Sequence, residues 1–192
     1  REKTWRFIEE LVDDMSVFDV FLYQNDYHNL KAAIKQIYTQ TQVPKIFILH
    51  GTVDPDLILK AVKEHDFSKL PERMQSAGEE AFRALLHTHD GQLCDTIIDK
   101  AGLDAIYAAK KLSDNEVLQK YAELTVAAAD IKIAIRAMNT KKTLSFLKRA
   151  LAECDTLDAE KLAHAAIAGM DAISDYLLTT PYTGAVPSIQ KS

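Results

Sequence analysis

Residues 29–37, NLKAAIKQI, return 101 positions later as residues 130–138, DIKIAIRAM, and the two match identically or conservatively at seven of nine positions. Residues 52–62, TVDPDLILKAV, return as 156–166, TLDAEKLAHAA, displaced by 104, so the second copy holds three extra residues between its blocks. The order of the blocks is kept. An ordered, colinear repeat points to duplication of a helical unit of about 100 residues, and a repeat of that length bears on the fold before any motif does.

The blocks are helical in character because Ala, Leu, Lys and Glu abound, while six Gly and five Pro in 192 residues leave little room for strands and tight turns. An all-α fold is expected. The 23 basic and 28 acidic residues are mixed along the chain, giving a net charge of −5. Such a surface does not attract polyanions, which argues against nucleic-acid binding. Cys94 and Cys154 form no CxxC pair and read as buried, reduced thiols of a cytoplasmic protein. The uninterrupted apolar runs are short, as at residues 46–49, and fall far short of the roughly 20 residues that cross a bilayer. The chain begins at Arg1 with no charged-then-apolar leader and is read as cut from a longer protein.

Helices are expected over residues 4–15 and 17–39, the second ending before Pro44. Asp54, Pro55 and Asp56 supply an N-cap acceptor, a proline at the first helical position and an acid at the positive helix end. Asp158 starts its counterpart, which is expected to run to about Thr180. Between them, helices are expected from Pro71 to His87, after Gly91 to Leu112, from a Ser113/Glu116 capping box to Asn139, and from a Thr140 cap through Leu151. Residues 181–192 read as loose.

On the first long helix Asp26 falls within an apolar face formed by Leu22, Leu30, Ile34 and others. A carboxylate so placed needs a cationic or hydrogen-bonding partner from another element. The second long helix carries two apolar stripes, Val117/Tyr121/Leu124/Ala128/Ile131/Ile135 and Leu118/Ala122/Ala129/Ile133, and reads as packed on two sides. Lys132 and Arg136 lie between those stripes. They are candidates to pair with Asp26 or Asp99 across the two copies; solvation of both cations is the competing reading.

Chemistry-bearing patterns are mostly wanting. His87 and His89 face different ways at a helix end, and the His65-Asp66 and His89-Asp90 pairs are only a weak echo of an HD phosphohydrolase. Glu160 and His164 have the wrong spacing for a di-iron site. There is no GxxxxGK[ST], GxGxxG or GxSxG. No catalytic, metal or cofactor site and no direct nucleotide binding is expected, and with no convergent polar cluster the chain reads as a scaffold or coupling part.

The stretch FDVFLYQNDYHNLKAAIK, residues 18–35, resembles the C-type subunit of the V-type (A-type) ATP synthases, the relative of the d-type subunit of the vacuolar ATPase. In that family an acid-x-x-Asn-Leu-Lys signature recurs on a long helix of each of three pseudo-symmetric domains. Here Asp26, Asn29, Leu30 and Lys31 fit it. The helix start at 54–56, IIDK at 97–100 with Asp99, and AADIKIAIRAMNT at 128–140 with Asp130, Lys132 and Arg136 follow in family order. The second copy departs from the pattern: Asp130 replaces the usual Asn and Ala127 the usual acid, so the first copy's polar contact does not simply carry over.

The resemblance implies a fragment of a funnel-like protein, holding parts of about two of three units, divided at 1–112 and 113–192. It implies a peripheral coupling piece without an active site at the cytoplasmic face, between the membrane proteolipid ring and the central stalk of a rotary ATPase. The rival readings are a helical-repeat adaptor with a concave peptide groove and, less favoured, a helical hydrolase built on the His-Asp pairs. Whether the coupled ion is a proton or sodium is not encoded here.

Overall fold

Asp54 shows why the chain breaks into helices where it does: its side chain accepts from the Asp56 N–H at 2.9 Å, with Pro55 in the first helical position, where no N–H is needed. Asp158 does the same for the Lys161 N–H at 3.0 Å. In the computed structural model, which describes residues 2–189 other than 14 and 113, such starts delimit ten α-helices, with no strand among the described residues. The fold is all-α.

The chain divides into two compact units, Arg1–Ala105 and Ile106–Ser192. In the first, α1 (Glu2–Glu9) and a 3-10 turn at Met15–Phe18 lead into α2 (Asp19–Thr39), followed by α3 (Pro55–Glu64), α4 (Glu72–Thr88) and the opening of α5 (Gly91–Leu112). Their core is built on the fully buried Leu30, Ile34, Ile58, Met74 and Ile98, each contributing about 1.5–3 kcal/mol by leaving water. Gly78 of α4 permits close approach, since a Cβ there would stand 2.7 Å from the Phe67 ring.

The second unit contains the end of α5, then α6 (Glu116–Asn139), α7 (Leu144–Ala150), α8 (Ala159–Ala168), α9 (Met170–Leu178) and α10 (Val186–Ile189). Ala134, Leu147, Leu162, Ile173 and Leu177 are fully buried at its centre.

Several expectations need correction. The first helix stops at Glu9, and a 3-10 turn occupies Met15–Phe18. Ser113 lies outside the described residues; the cap of α6 is Asn115, whose side chain accepts from the N–H groups of Val117 (2.9 Å) and Leu118 (3.2 Å). Thr140 closes α6, and Thr143 caps α7 by accepting from Phe146 N at 3.2 Å. The last long helix is two, because Gly169 at φ 125 leaves helical geometry between α8 and α9. Residues 183–189 form a 3-10 turn and α10 rather than a loose tail.

The two-sided packing expected of α6 does not hold either. Val117 is 73% and Leu124 46% exposed, and Ala128 is exposed too. The buried face is the one opposite Lys132 and Arg136, and runs through Ala122, Glu123, Val126, Ala127, Asp130, Ile131 and Ala134.

Candidate functional site

The polar side chains of α2 grip the irregular segment that precedes α3. Asn29 makes a two-way contact with Ile48, its amide donating to the carbonyl and its oxygen accepting from the N–H, both at 2.8 Å, as a neighbouring strand would. Asn25 donates to the His50 carbonyl at 2.6 Å, and a ring nitrogen of His28 stands 3.0 Å from the Ile46 carbonyl. One turn from Asn29 and fully buried, Asp26 accepts from the N–H groups of Thr52 (2.8 Å) and Val53 (3.1 Å) and from the Thr52 hydroxyl (2.6 Å).

The cation for Asp26 comes from α4: Arg73 donates to its Oδ2 and to the Thr52 hydroxyl, each at 2.6 Å. The guanidinium lies 4.3 Å over the Tyr23 ring, and the Tyr27 hydroxyl donates to the Arg73 carbonyl at 2.6 Å. Gly51 completes the clasp, because a Cβ there would stand 2.3 Å from the Asp26 carboxylate. Burial pushes the Asp26 carboxyl above its ordinary value, against the opposing pull of the Thr52 hydroxyl, Arg73 and the two N–H groups.

Lys31 points to the other side of α2, where it pairs with Asp99 of α5 at 2.6 Å. Asp26 and Asp99 thus have their cations in Arg73 and Lys31, not in Lys132 or Arg136, both of which are exposed. An arginine 47 residues from Asp26 had no local signal in the sequence.

The second unit carries a clasp of the same plan. Asp130, at the repeat position of Asn29, accepts from the Ala152 N–H at 3.1 Å, and Ala152 is the counterpart of Ile48. Thr156, the counterpart of Thr52, donates its N–H (2.8 Å) and hydroxyl (2.5 Å) to a carboxylate, but that carboxylate belongs to Glu123. Glu123 stands one turn before Ala127, the position that corresponds to Asp26. Glu123 lies on the same face of its helix as Ala127 and makes the threonine contact that Asp26 makes in the first unit.

Its cation has changed as well. Lys110 of α5 reaches Glu123 at 2.7 Å and Asp155 at 2.5 Å, and Tyr107 donates to Asp155 at 2.5 Å. Because the Thr156 hydroxyl gives its hydrogen to Glu123, the Tyr182 hydroxyl, 2.7 Å away, donates to Thr156 in the place that Arg73 takes in the first clasp. Burial raises the Glu123 carboxyl, but Lys110 and Thr156 outweigh it and hold the group below its ordinary value. Tyr107, donating to Asp155, is pushed up to about 12. Sequence reading found no convergent polar cluster; the fold assembles two.

The sequence matches the profile of the ATP synthase (C/AC39) subunit family over residues 2–192. The chain belongs to that family. No curated protein and no solved structure was matched. Membership of the C/AC39 family makes the chain part of a multi-subunit V/A-type ATPase, in which this family is a non-catalytic accessory component. No described helix of this C/AC39 chain is long and apolar enough to cross a membrane.

Other chemistry-bearing residues occupy structural positions. His65 and His89 sit in left-handed conformation at the ends of α3 and α4, with φ 55 and 57. Among the described residues no group of three His, Cys, Asp or Glu side chains is placed to hold a metal. Burial pushes the thiols of Cys94 and Cys154 up to about 11, away from the thiolate form a nucleophile needs.

Proposed function

We propose that this protein is the coupling subunit between the membrane proteolipid ring and the central stalk of a V/A-type rotary ATPase, peripheral at the cytoplasmic face, and that it carries torque without catalysing a reaction. The family match along residues 2–192 carries the reading. The clasps support it physically. A coupling piece must not yield where its helices meet irregular connections, and these connections are fixed by buried charge-assisted hydrogen bonds rather than by apolar contact alone. Close-packed interiors around them have low compressibility and transmit strain.

The two units are, in this reading, copies of one module, with the Asn29/Ile48 contact repeated as Asp130/Ala152 and the Thr52 contact repeated at Thr156. Co-purification of the intact protein with central-stalk subunits and with the proteolipid ring is the direct test. Failure to associate with either ends the proposal. The torque role is tested in the assembled ATPase: Asp26→Ala is expected to lower the number of ions pumped per ATP hydrolysed, and an unchanged ratio would remove stiffness at the clasp from the mechanism.

A further inference from the structure

The mixing of charge along the chain fails in one place. From Ile131 to Ala152 there are four lysines and two arginines and not one acid, in a chain whose net charge is −5. The stretch covers the end of α6, the turn after it and all of α7. Lys132, Arg136, Lys141 and Arg149 are exposed, and among the described residues none of the four has a carboxylate in ion-pair contact. Lys148 pairs with Glu160 of α8 at 2.9 Å, and the Lys142 ammonium lies 5.4 Å over the Phe146 ring.

The first unit makes the same turn without charge. Gln40 and Lys141, 101 positions apart, both take the left-handed conformation, at φ 54 and 53, and their N–H groups donate to the carbonyls of Ile37 and Met138, again 101 apart. The backbone asks for no cation here, since Gln40 and Thr41 follow the first long helix where Lys141 and Lys142 follow the second. Farther back on the helices, Lys31 and Lys35 are neutralised by Asp99 and Asp95 at 2.6 and 2.7 Å, whereas their counterparts Lys132 and Arg136 face water. The second unit therefore carries positive charge that its fold does not use.

The chemistry of the patch selects its partner. Every exposed side chain between 131 and 149 is a cation, an amide or a hydroxyl, and none is apolar or aromatic. Protein interfaces are built the other way, on aromatic and apolar anchors, with lysine and serine depleted. Single-stranded nucleic acid needs aromatic platforms for its bases. The phosphate layer of a bilayer asks only for a density of positive charge close to its surface. We propose that the end of α6, the turn after it and α7 form a surface that binds the headgroups of anionic phospholipids. With no apolar side chain exposed there, the contact is electrostatic and nothing enters the acyl layer. A lipid vesicle holds no ATPase subunit, so this inference and the coupling role can fail separately.

The test sediments the intact protein with phosphatidylcholine vesicles, with and without phosphatidylglycerol. Binding is expected only with the anionic lipid, and it should weaken as salt is raised because exposed charges are screened. Lys141→Gln with Lys142→Thr, which puts the first unit's turn into the second, should weaken binding about 25-fold, at about fivefold for each cation lost. Lys132→Gln with Arg136→Gln should do about the same, whereas Lys148→Gln, whose lysine is already paired with Glu160, should do less. Melting curves should match the parent, since glutamine already holds this φ at position 40. The two pairs are read separately, so a folding defect in one leaves the other informative. Binding that ignores lipid charge, or that survives both double substitutions, would overturn the proposal. So would a failure to sediment with anionic vesicles, whether or not the chain then binds polyglutamate or duplex DNA.

Discussion

Asp26 and Glu123 perform one task in different surroundings. Each takes the N–H and the hydroxyl of a threonine just ahead of a helix start, Thr52 before Asp54 and Thr156 before Asp158. Asp26 is fully buried and held by Arg73, while Glu123, 8% exposed, is held by Lys110, which is shared with Asp155. The spacing from acid to amide-binding residue is three on α2 and seven on α6, one turn against two. Seven helical residues rise about 10.5 Å, still within the roughly 13 Å that the four residues from 152 to 156 can span when extended. The same threonine contact can therefore be made from either of two positions one turn apart on a helix face.

The difference in burial sets the largest expected effect. Asp26→Ala strands Arg73, the Thr52 hydroxyl and two N–H groups, and should cost about 3–5 kcal/mol. Glu123→Ala leaves groups nearer to water and should cost about 1–3 kcal/mol. Denaturant unfolding, with amide exchange to assign each loss to its unit, measures both. Equal costs would erase the distinction drawn between the clasps.

Next in size is Gly51→Ala, which forces a methyl to within 2.3 Å of the Asp26 carboxylate and should cost about 1–3 kcal/mol, detectable as lost exchange protection at Thr52 and Val53. Returning the acid to its first-copy register sharpens the comparison. Ala127→Asp on a Glu123→Ala background should recover part of the lost stability if Thr156 can be reached from there. Further destabilisation would show that the two positions are not interchangeable.

Acid should separate the clasps by sign. The folded carboxyl of Asp26 is raised above its ordinary 3.8, so its contribution is full below that value and is lost as pH rises through the folded value. Glu123 is lowered from 4.5; its contribution is full above that value and is lost as pH falls through the folded one. From about pH 5 to about pH 3, protection of the Thr52 and Val53 amides should rise relative to that of Asp155 and Thr156. A ratio that stays constant would contradict the opposed shifts. The smallest effect tests what the copies share: Asp54→Ala and Asp158→Ala should each cost about 1 kcal/mol in melting experiments.

The sequence by itself determined the helical class, the start of α3 at Asp54 and Pro55, the extents of α2, α4 and α5 to within about two residues, and the colinear repeat. All of these rest on local chemistry: cap acceptors, prolines, propensities and periods that act within a few residues. The tertiary structure decided that Arg73 and Lys110 hold the buried acids, that Glu123 replaces the acid missing at Ala127, and that one face of α6 lies open while the matching face of α2 is covered. It also put the cap of α7 on Thr143, three residues after the Thr140 expected, since both offer the same hydroxyl. Partners 47 residues apart in the chain are chosen by which helices pack and how closely, and the reach of a side chain across that gap leaves no mark on its neighbours in sequence.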